Sequence, residues 1–142
     1  MKSITTPLAG SYILEPEIKG DARGYFMESY NQQTLTEILG YTVHFVQDNQ
    51  SYSRKGILRG LHSKTGESSQ AKLVRVILGR VWDVIVDIRP HSSTFGQWYG
   101  VELSGENQRQ LFIPRGFAHG FAVLSDEAIF AYKCDNYYNP LA

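Results

Sequence analysis

Residues 72–90, "KLVRVILGRVWDVIVDIRP", limit the fold more than any other stretch of this chain. Two runs rich in Val and Ile are split by Gly79-Arg80. β-Branched side chains are stiff at χ1 and pack well on a pleated strand, so both runs read as strands. A two-residue loop with Gly first suits a type II′ hairpin. That turn predicts Leu78 opposite Val81, Val76 opposite Asp83 and Lys72 opposite Asp87. Side chains alternate with period 2, so Lys72, Val74, Val76, Asp83, Ile85 and Asp87 share one face. The other face carries Leu73, Ile77, Trp82, Val84, Val86 and Ile88, with Arg75 the exception. The mixed face fits either solvent or the lining of a polar cavity inside a β-barrel.

Further strands are expected at 24–30, 44–53, 56–62, 96–103, 110–113, 120–123 and 128–132. One good helix is predicted, "NQQTLTEILG". Asn31 caps it, Leu35, Ile38 and Leu39 form its apolar stripe, and Gly40 ends it. Many short strands, Gly and Pro turns and one helix point to an all-β antiparallel sandwich or jelly roll. A length of 142 residues fits one domain, 1–142.

Lys plus Arg and Asp plus Glu balance at 14 each, so bulk charge draws the chain to neither nucleic acid nor a membrane surface. No apolar run approaches the ~18 residues of a membrane-spanning helix. The start, "MKSITTPLAG", lacks the apolar core of a signal peptide. Cys134 is the one cysteine, which excludes an intramolecular disulfide and fits a reducing cytoplasm.

Two stretches carry candidate chemistry. In "LRGLHSKTGESSQAK", His62 follows Arg59 by three residues and precedes Lys72 by ten. In "RQLFIPRGFAHGFAVLS", the spacing Pro114-x-Gly116-x-x-His119 resembles the second conserved motif of the cupins. Many cupins hold a metal through three His and a Glu, which requires several ligands converging on one point. The corresponding window here is His62-Ser63-Lys64 with Glu67 downstream, and a lysine cation is a poor ligand. His44 and His91 lie in other segments, so no metal or other cofactor is expected. Without a metal His62 can still act as a base, since an imidazole titrates near about 6.5. If the strands starting near Gly56 and Gly120 line one barrel, His62, Lys72, His119 and Tyr132 converge. A structural role for either histidine stays open on composition alone.

The segments 47–64 and 70–138, with "GDARGYFMESYN" near the start, are similar to the dTDP-4-dehydrorhamnose 3,5-epimerases of rhamnose biosynthesis. The likeness covers about Gly20 to Pro140. It implies a metal-free double-stranded β-helix (a cupin jelly roll with one or two short helices), homodimeric through exchange of N-terminal strands. The implied substrate is a dTDP-4-keto-6-deoxyhexose, inverted at C3 and C5 through an enolate. By the same resemblance His62 is the base, Lys72 the cation beside the ketone and Tyr132 the reprotonating acid. Arg23 and Glu28 match a segment that reaches the nucleotide, often across the dimer. Gln47, Asp48 and Asn49 match a binding wall. Arg59 and His119 match residues near the diphosphate and sugar, Tyr138 matches an aromatic that stacks on thymine, and Asp83 is a supporting residue.

Two departures stand out. Ser63-Lys64 and "TGESS" follow His62 where the family carries an aromatic and Gln. The family also commonly continues past the tyrosine-rich segment into a tail whose aspartate hydrogen-bonds the catalytic His, so a slower base is expected here. Three alternatives accompany the epimerase reading. They are epimerisation at one carbon only, a non-catalytic nucleotide-sugar-binding module, and a metal-dependent cupin oxygenase.

Overall fold

The computed structural model describes residues 1–138; residues 139–142, the end of the span read above as one domain, lie outside it. The described residues form an antiparallel jelly roll of two facing sheets. In chain order the elements are β1 (Lys2–Thr5), β2 (Tyr12–Glu15), β3 (Ile18–Asp21), β4 (Gly24–Met27), α1 (Gln32–Leu39), β5 (Gln47–Arg54) and β6 (Leu58–His62). After a short 3-10 turn at Gly66–Ser68 come β7 (Lys72–Leu78), β8 (Arg80–Asp87), β9 (Trp98–Ser104), β10 (Gln110–Ile113), β11 (Phe117–Val123) and β12 (Glu127–Cys134). The large sheet runs β1-β2-β10-β7-β12-β5 and the small sheet β6-β11-β8-β9, while β3 and β4 pair only with each other. Among the described residues no helix is long and apolar enough to cross a membrane.

The 79–80 hairpin does not form. β7 bonds to β10 and β12, whereas β8 bonds to β11 and β9, so the two runs lie in opposite sheets. The turn is clamped by other turns instead of closing on itself. Gly79 O accepts from Gly105 N–H, Arg80 O accepts from Leu124 N–H, and Arg80 N–H donates to Ser125 Oγ at 2.9 Å. Gly79 has φ +84° and packs so closely that a Cβ would fall 2.1 Å from Glu127 O.

The predicted alternation survives this change of partner. Val74, Val76, Asp83, Ile85 and Asp87 all have zero exposure and face the interior from both sheets. The more apolar face is the outward one, with Ile77 and Trp82 exposed. Leu73 escapes exposure because α1 covers it, in a second cluster with Leu14, Leu35, Val43 and Phe112. Asn31 Oδ1 accepts from Thr34 N–H, and Gly40 closes α1 at φ +81°, as its sequence predicts.

The main core is built from inward positions, among them Val74, Val76, Val81, Ile85, Leu103, Leu111, Phe121 and Phe130. At its lower rim Asp87 ties the 88–97 loop to its own strand. Arg89, Ser92 and Thr94 donate to its carboxylate, and Arg89 Nη2 also reaches Ala9 O. The β3–β4 ribbon stands away from both sheets with Ile18, Tyr25 and Phe26 exposed. The expected strand at 24–30 therefore ends early, at Met27, and β1 to β3, each of four residues, were not anticipated from the sequence.

Candidate active site

The site is positioned by a bulge. His62 of β6 lies opposite His119 of β11, but Arg59 lies opposite Phe121, so three steps of β6 span two of β11. Gly60 absorbs the mismatch at φ +98°, where a Cβ would sit 2.6 Å from His119 O and 2.7 Å from Gly120 Cα. In a regular strand Arg59 and His62 would point to opposite faces. Here both line one cavity of about 180 Å³ between the sheets.

Arg59, His62, His119 and Phe121 reach this cavity from the small sheet; Asn49, Lys72, Phe130 and Tyr132 reach it from the large one. Aromatic rings make its floor. Phe121 and Phe130 stack at 4.2 Å between centroids, His119 stacks on Phe130 at 5.9 Å, and Tyr132 tilts against Phe130 at 5.9 Å. Arg59 Nε donates to Ser53 Oγ at 2.9 Å, which points the guanidinium along the cavity wall.

One buried carboxylate serves the site. Asp83 is fully buried and accepts from His119 Nε2 at 2.8 and 3.0 Å. Burial pushes the Asp83 carboxyl up, and His119 and Lys72 pull it back. Burial also lowers the Lys72 ammonium, with the nearby Lys64 charge adding to the effect and Cys134 and Asp83 opposing it. Lys72 Nζ lies 5.5 Å from the Tyr132 ring centroid. Burial raises the Tyr132 phenol, an effect reduced by its hydrogen bond to Asn49 and by Arg59, so it is a protonated donor at neutral pH. Burial pushes the Cys134 thiol up to about 11, so the sulfur beside Lys72 is a neutral wall.

An imidazole on one sheet and a phenol on the other thus flank a desolvated ammonium. That arrangement suits removing a proton from one side of a carbon next to a carbonyl and delivering one from the other side.

Not every residue singled out from the sequence reaches this cavity. Arg23 sits at the tip of the β3–β4 ribbon, paired with Asp21 at 2.8 Å and almost fully exposed. Glu28 lines a separate hollow with Lys19 and Phe26. Asp48 alternates to the outer face of the large sheet, where Lys133 Nζ holds it at 2.9 Å; a period of 2 along β5 cannot turn Gln47, Asp48 and Asn49 to one wall. Gln47 and Asn49 do share a face, and Gln47 Nε2 donates to Asn49 Oδ1 at 2.9 Å. Tyr138 lies at the rim, its N–H bonded to Gln47 Oε1 at 3.2 Å. Ser53, Phe121 and Phe130 were missed, although the alternation in "FAHGF" and "IFAY" puts the two phenylalanines on the faces of His119 and Tyr132. Among the described residues no three His, Cys, Asp or Glu side chains are grouped as metal ligands would be.

Comparison with known proteins follows the same lines. Residues 5–142 match the family model for dTDP-4-dehydrorhamnose 3,5-epimerase. The chain is 60% identical over 137 residues to the dTDP-4-dehydrorhamnose 3,5-epimerase of Salmonella typhimurium, covering 96% of this chain and 75% of that one. The crystal structure of dTDP-6-deoxy-D-glucose-3,5-epimerase from Legionella pneumophila in complex with dTDP-4-keto-L-rhamnose superposes with a TM-score of 0.95. It is 56% identical and covers 99% of this chain and 74% of its own. A 3′-monoepimerase from Streptomyces bikiniensis in complex with dTDP-quinovose superposes with a TM-score of 0.90 at 31% identity, covering 96% and 69%.

Proposed function

The chain belongs to the dTDP-4-dehydrorhamnose 3,5-epimerase family, and from that membership we propose that it inverts C3 and C5 of a dTDP-linked 4-keto-6-deoxyhexose. The observation that carries the reading is the opposed placement of His62 and Tyr132, one on each sheet, across a cavity that also holds Lys72. Inversion needs a base on one face of the sugar and an acid on the other.

His62 takes the proton from the carbon flanking the C4 ketone. The electron pair of the broken C–H bond moves onto the ketone oxygen, giving an enolate. Lys72 stabilises that oxygen, and its charge acts strongly because the ammonium is largely buried. The enolate collapses as Tyr132 delivers a proton to the opposite face, leaving the carbon inverted. Solvent then restores the proton to Tyr132 and removes the one on His62. The same cycle at the second carbon completes the isomerisation, with no net change in oxidation state and no cofactor.

Arg59 and His119 hold the diphosphate and sugar, with a guanidinium fork suited to phosphate oxygens. Asp83 orients His119. Tyr138 stacks on the base, Asn49 and Gln47 form the wall behind it, and Cys134 remains the buried thiol expected in a reducing cytoplasm. Arg23 and Glu28 act in a homodimer, each ribbon reaching the partner's nucleotide. An exposed two-stranded ribbon showing Ile18, Tyr25 and Phe26 is marginal alone, which supports its being covered by a second copy.

Incubating the protein with dTDP-4-keto-6-deoxyglucose in D2O tests the reaction. Deuterium entering C3 and C5 is the expected result, and folded protein that exchanges neither carbon overturns it. Exchange at C3 alone moves the chain to single-carbon epimerisation, the activity named for the 3′-monoepimerase it resembles.

A further inference from the structure

Lys64 is a charged residue beside the site whose role the reaction above leaves undefined. It lies in the segment that leaves His62, and its Nζ sits 5.1 Å from the centroid of the Tyr138 ring. Tyr138 is itself tethered at the mouth through Gln47. The Lys64 charge is also among the influences that lower Lys72. The ring at the rim and the ammonium at the reacting end both feel this one cation.

A nucleotide sugar bound as proposed spans the same interval. Its base lies on Tyr138, its sugar lies among His62, Lys72 and Tyr132, and its diphosphate lies between. A base stacked on Tyr138 competes for the ring face that Lys64 now covers. Base–aromatic stacking is stronger than an exposed cation–π contact, so the base takes the ring. The displaced ammonium is then next to the most negative part of the ligand.

We propose that Lys64 is a movable cation that reads the diphosphate: it rests on the Tyr138 ring in the empty site and passes to the phosphates when the base takes the ring. This rests on the nucleotide-sugar reading given above. It predicts opposite effects on two ligands. A ligand with phosphates loses a charge contact when Lys64 is neutralised, whereas a nucleoside without phosphates loses only a competitor for Tyr138.

Calorimetry with dTDP, and ligand-observed NMR with thymidine, on the wild-type chain, Lys64→Met and Lys64→Arg read these effects. Lys64→Met is expected to weaken dTDP about tenfold, the loss of one charge-assisted contact, and to flatten the salt dependence of binding. Thymidine binding is expected to hold or tighten, and Lys64→Arg to keep dTDP affinity within about threefold of wild type because the charge is retained. Lys64→Met that binds dTDP like the wild type, or that weakens dTDP and thymidine in parallel, overturns the role of Lys64 alone. A wild-type chain that binds neither ligand overturns the nucleotide reading and the role of Lys64 with it.

Discussion

Arg59 and His62 point into one cavity although they are three residues apart on a single strand. The extra residue of β6 at Gly60 rotates the strand by half a pleat between them, so the guanidinium and the imidazole, proposed above as phosphate binder and base, share a wall. The strand opposite, β11, supplies His119 at the same level, directly across from His62. The joint presence of Arg59 and His62 in the cavity thus depends on one backbone irregularity.

Gly60→Ala tests that dependence. The substitution places a methyl group 2.6 Å from His119 O at φ +98°, so β6 must part from β11 or lose its bulge. The expected cost is about 1–3 kcal/mol from backbone strain, with additional loss from the clash. Urea unfolding measures it. The D2O exchange rate is expected to fall further than the stability loss alone explains, because Arg59 and His62 separate.

His62→Asn and Tyr132→Phe are expected to fail differently. His62→Asn removes the proposed base and is expected to lower deuterium incorporation by about a hundred- to ten-thousandfold. Tyr132→Phe leaves abstraction possible but removes the donor on the opposite face. Deuterium then returns from the His62 side, giving labelled sugar of unchanged configuration. NMR of the recovered sugar distinguishes the two, and inverted product from Tyr132→Phe at the wild-type rate would remove Tyr132 from the acid role.

Lys72 carries a pH signature and a stability cost. Its ammonium is lowered chiefly by burial, so activity is expected to fall on the alkaline side below the ordinary lysine range near about 10.4. Lys72→Arg keeps the charge and moves that limb upward, at lower rate. The same shift means the unfolded chain binds this proton more tightly than the folded one. Stability therefore rises with pH between the folded and unfolded values, and the charged Lys72 is a cost below both. Lys72→Met is expected to raise the melting temperature at neutral pH while reducing exchange about a hundred- to a thousandfold.

Asp87 has the opposite sign. Burial works to raise it, but Arg89, Ser92, Thr94 and the Arg89 N–H outweigh burial and hold it far below the usual carboxylate range. Its stabilisation is complete above the unfolded value near about 3.9 and is lost only as pH falls through the much lower folded value. Asp87→Asn is expected to cost about 1.5–3 kcal/mol at neutral pH, read by denaturant unfolding. The deficit against wild type should shrink in strong acid. An equal deficit at every pH would mean that Asp87 acts by shape and not by charge.

Much of the molecule is legible along the chain. Strand and helix depend on local periodicity, so the alternation in "KLVRVILGRVWDVIVDIRP" identifies the inward side chains, and Asn31 and Gly40 bound the helix without reference to anything distant. The family likeness adds names for His62, Lys72 and Tyr132 because those residues stand in motifs. Pairing is another matter. Gly79-Arg80 has the chemistry of a hairpin, yet the turn crosses between sheets, because the 105 and 124–125 turns capture its hydrogen-bonding groups and Glu127 packs against Gly79. The face that looks like a core from its Val, Ile and Trp content lies outside, and the face with Lys72, Asp83 and Asp87 lies within, because facing sheets enclose whichever side the crossover turns inward. The bulge at Gly60, the Asp83–His119 pair and the contact of Lys64 with Tyr138 each join residues far apart in sequence or override a local period. Local preference decides which way a side chain alternates; only closure of the two sheets decides what it meets.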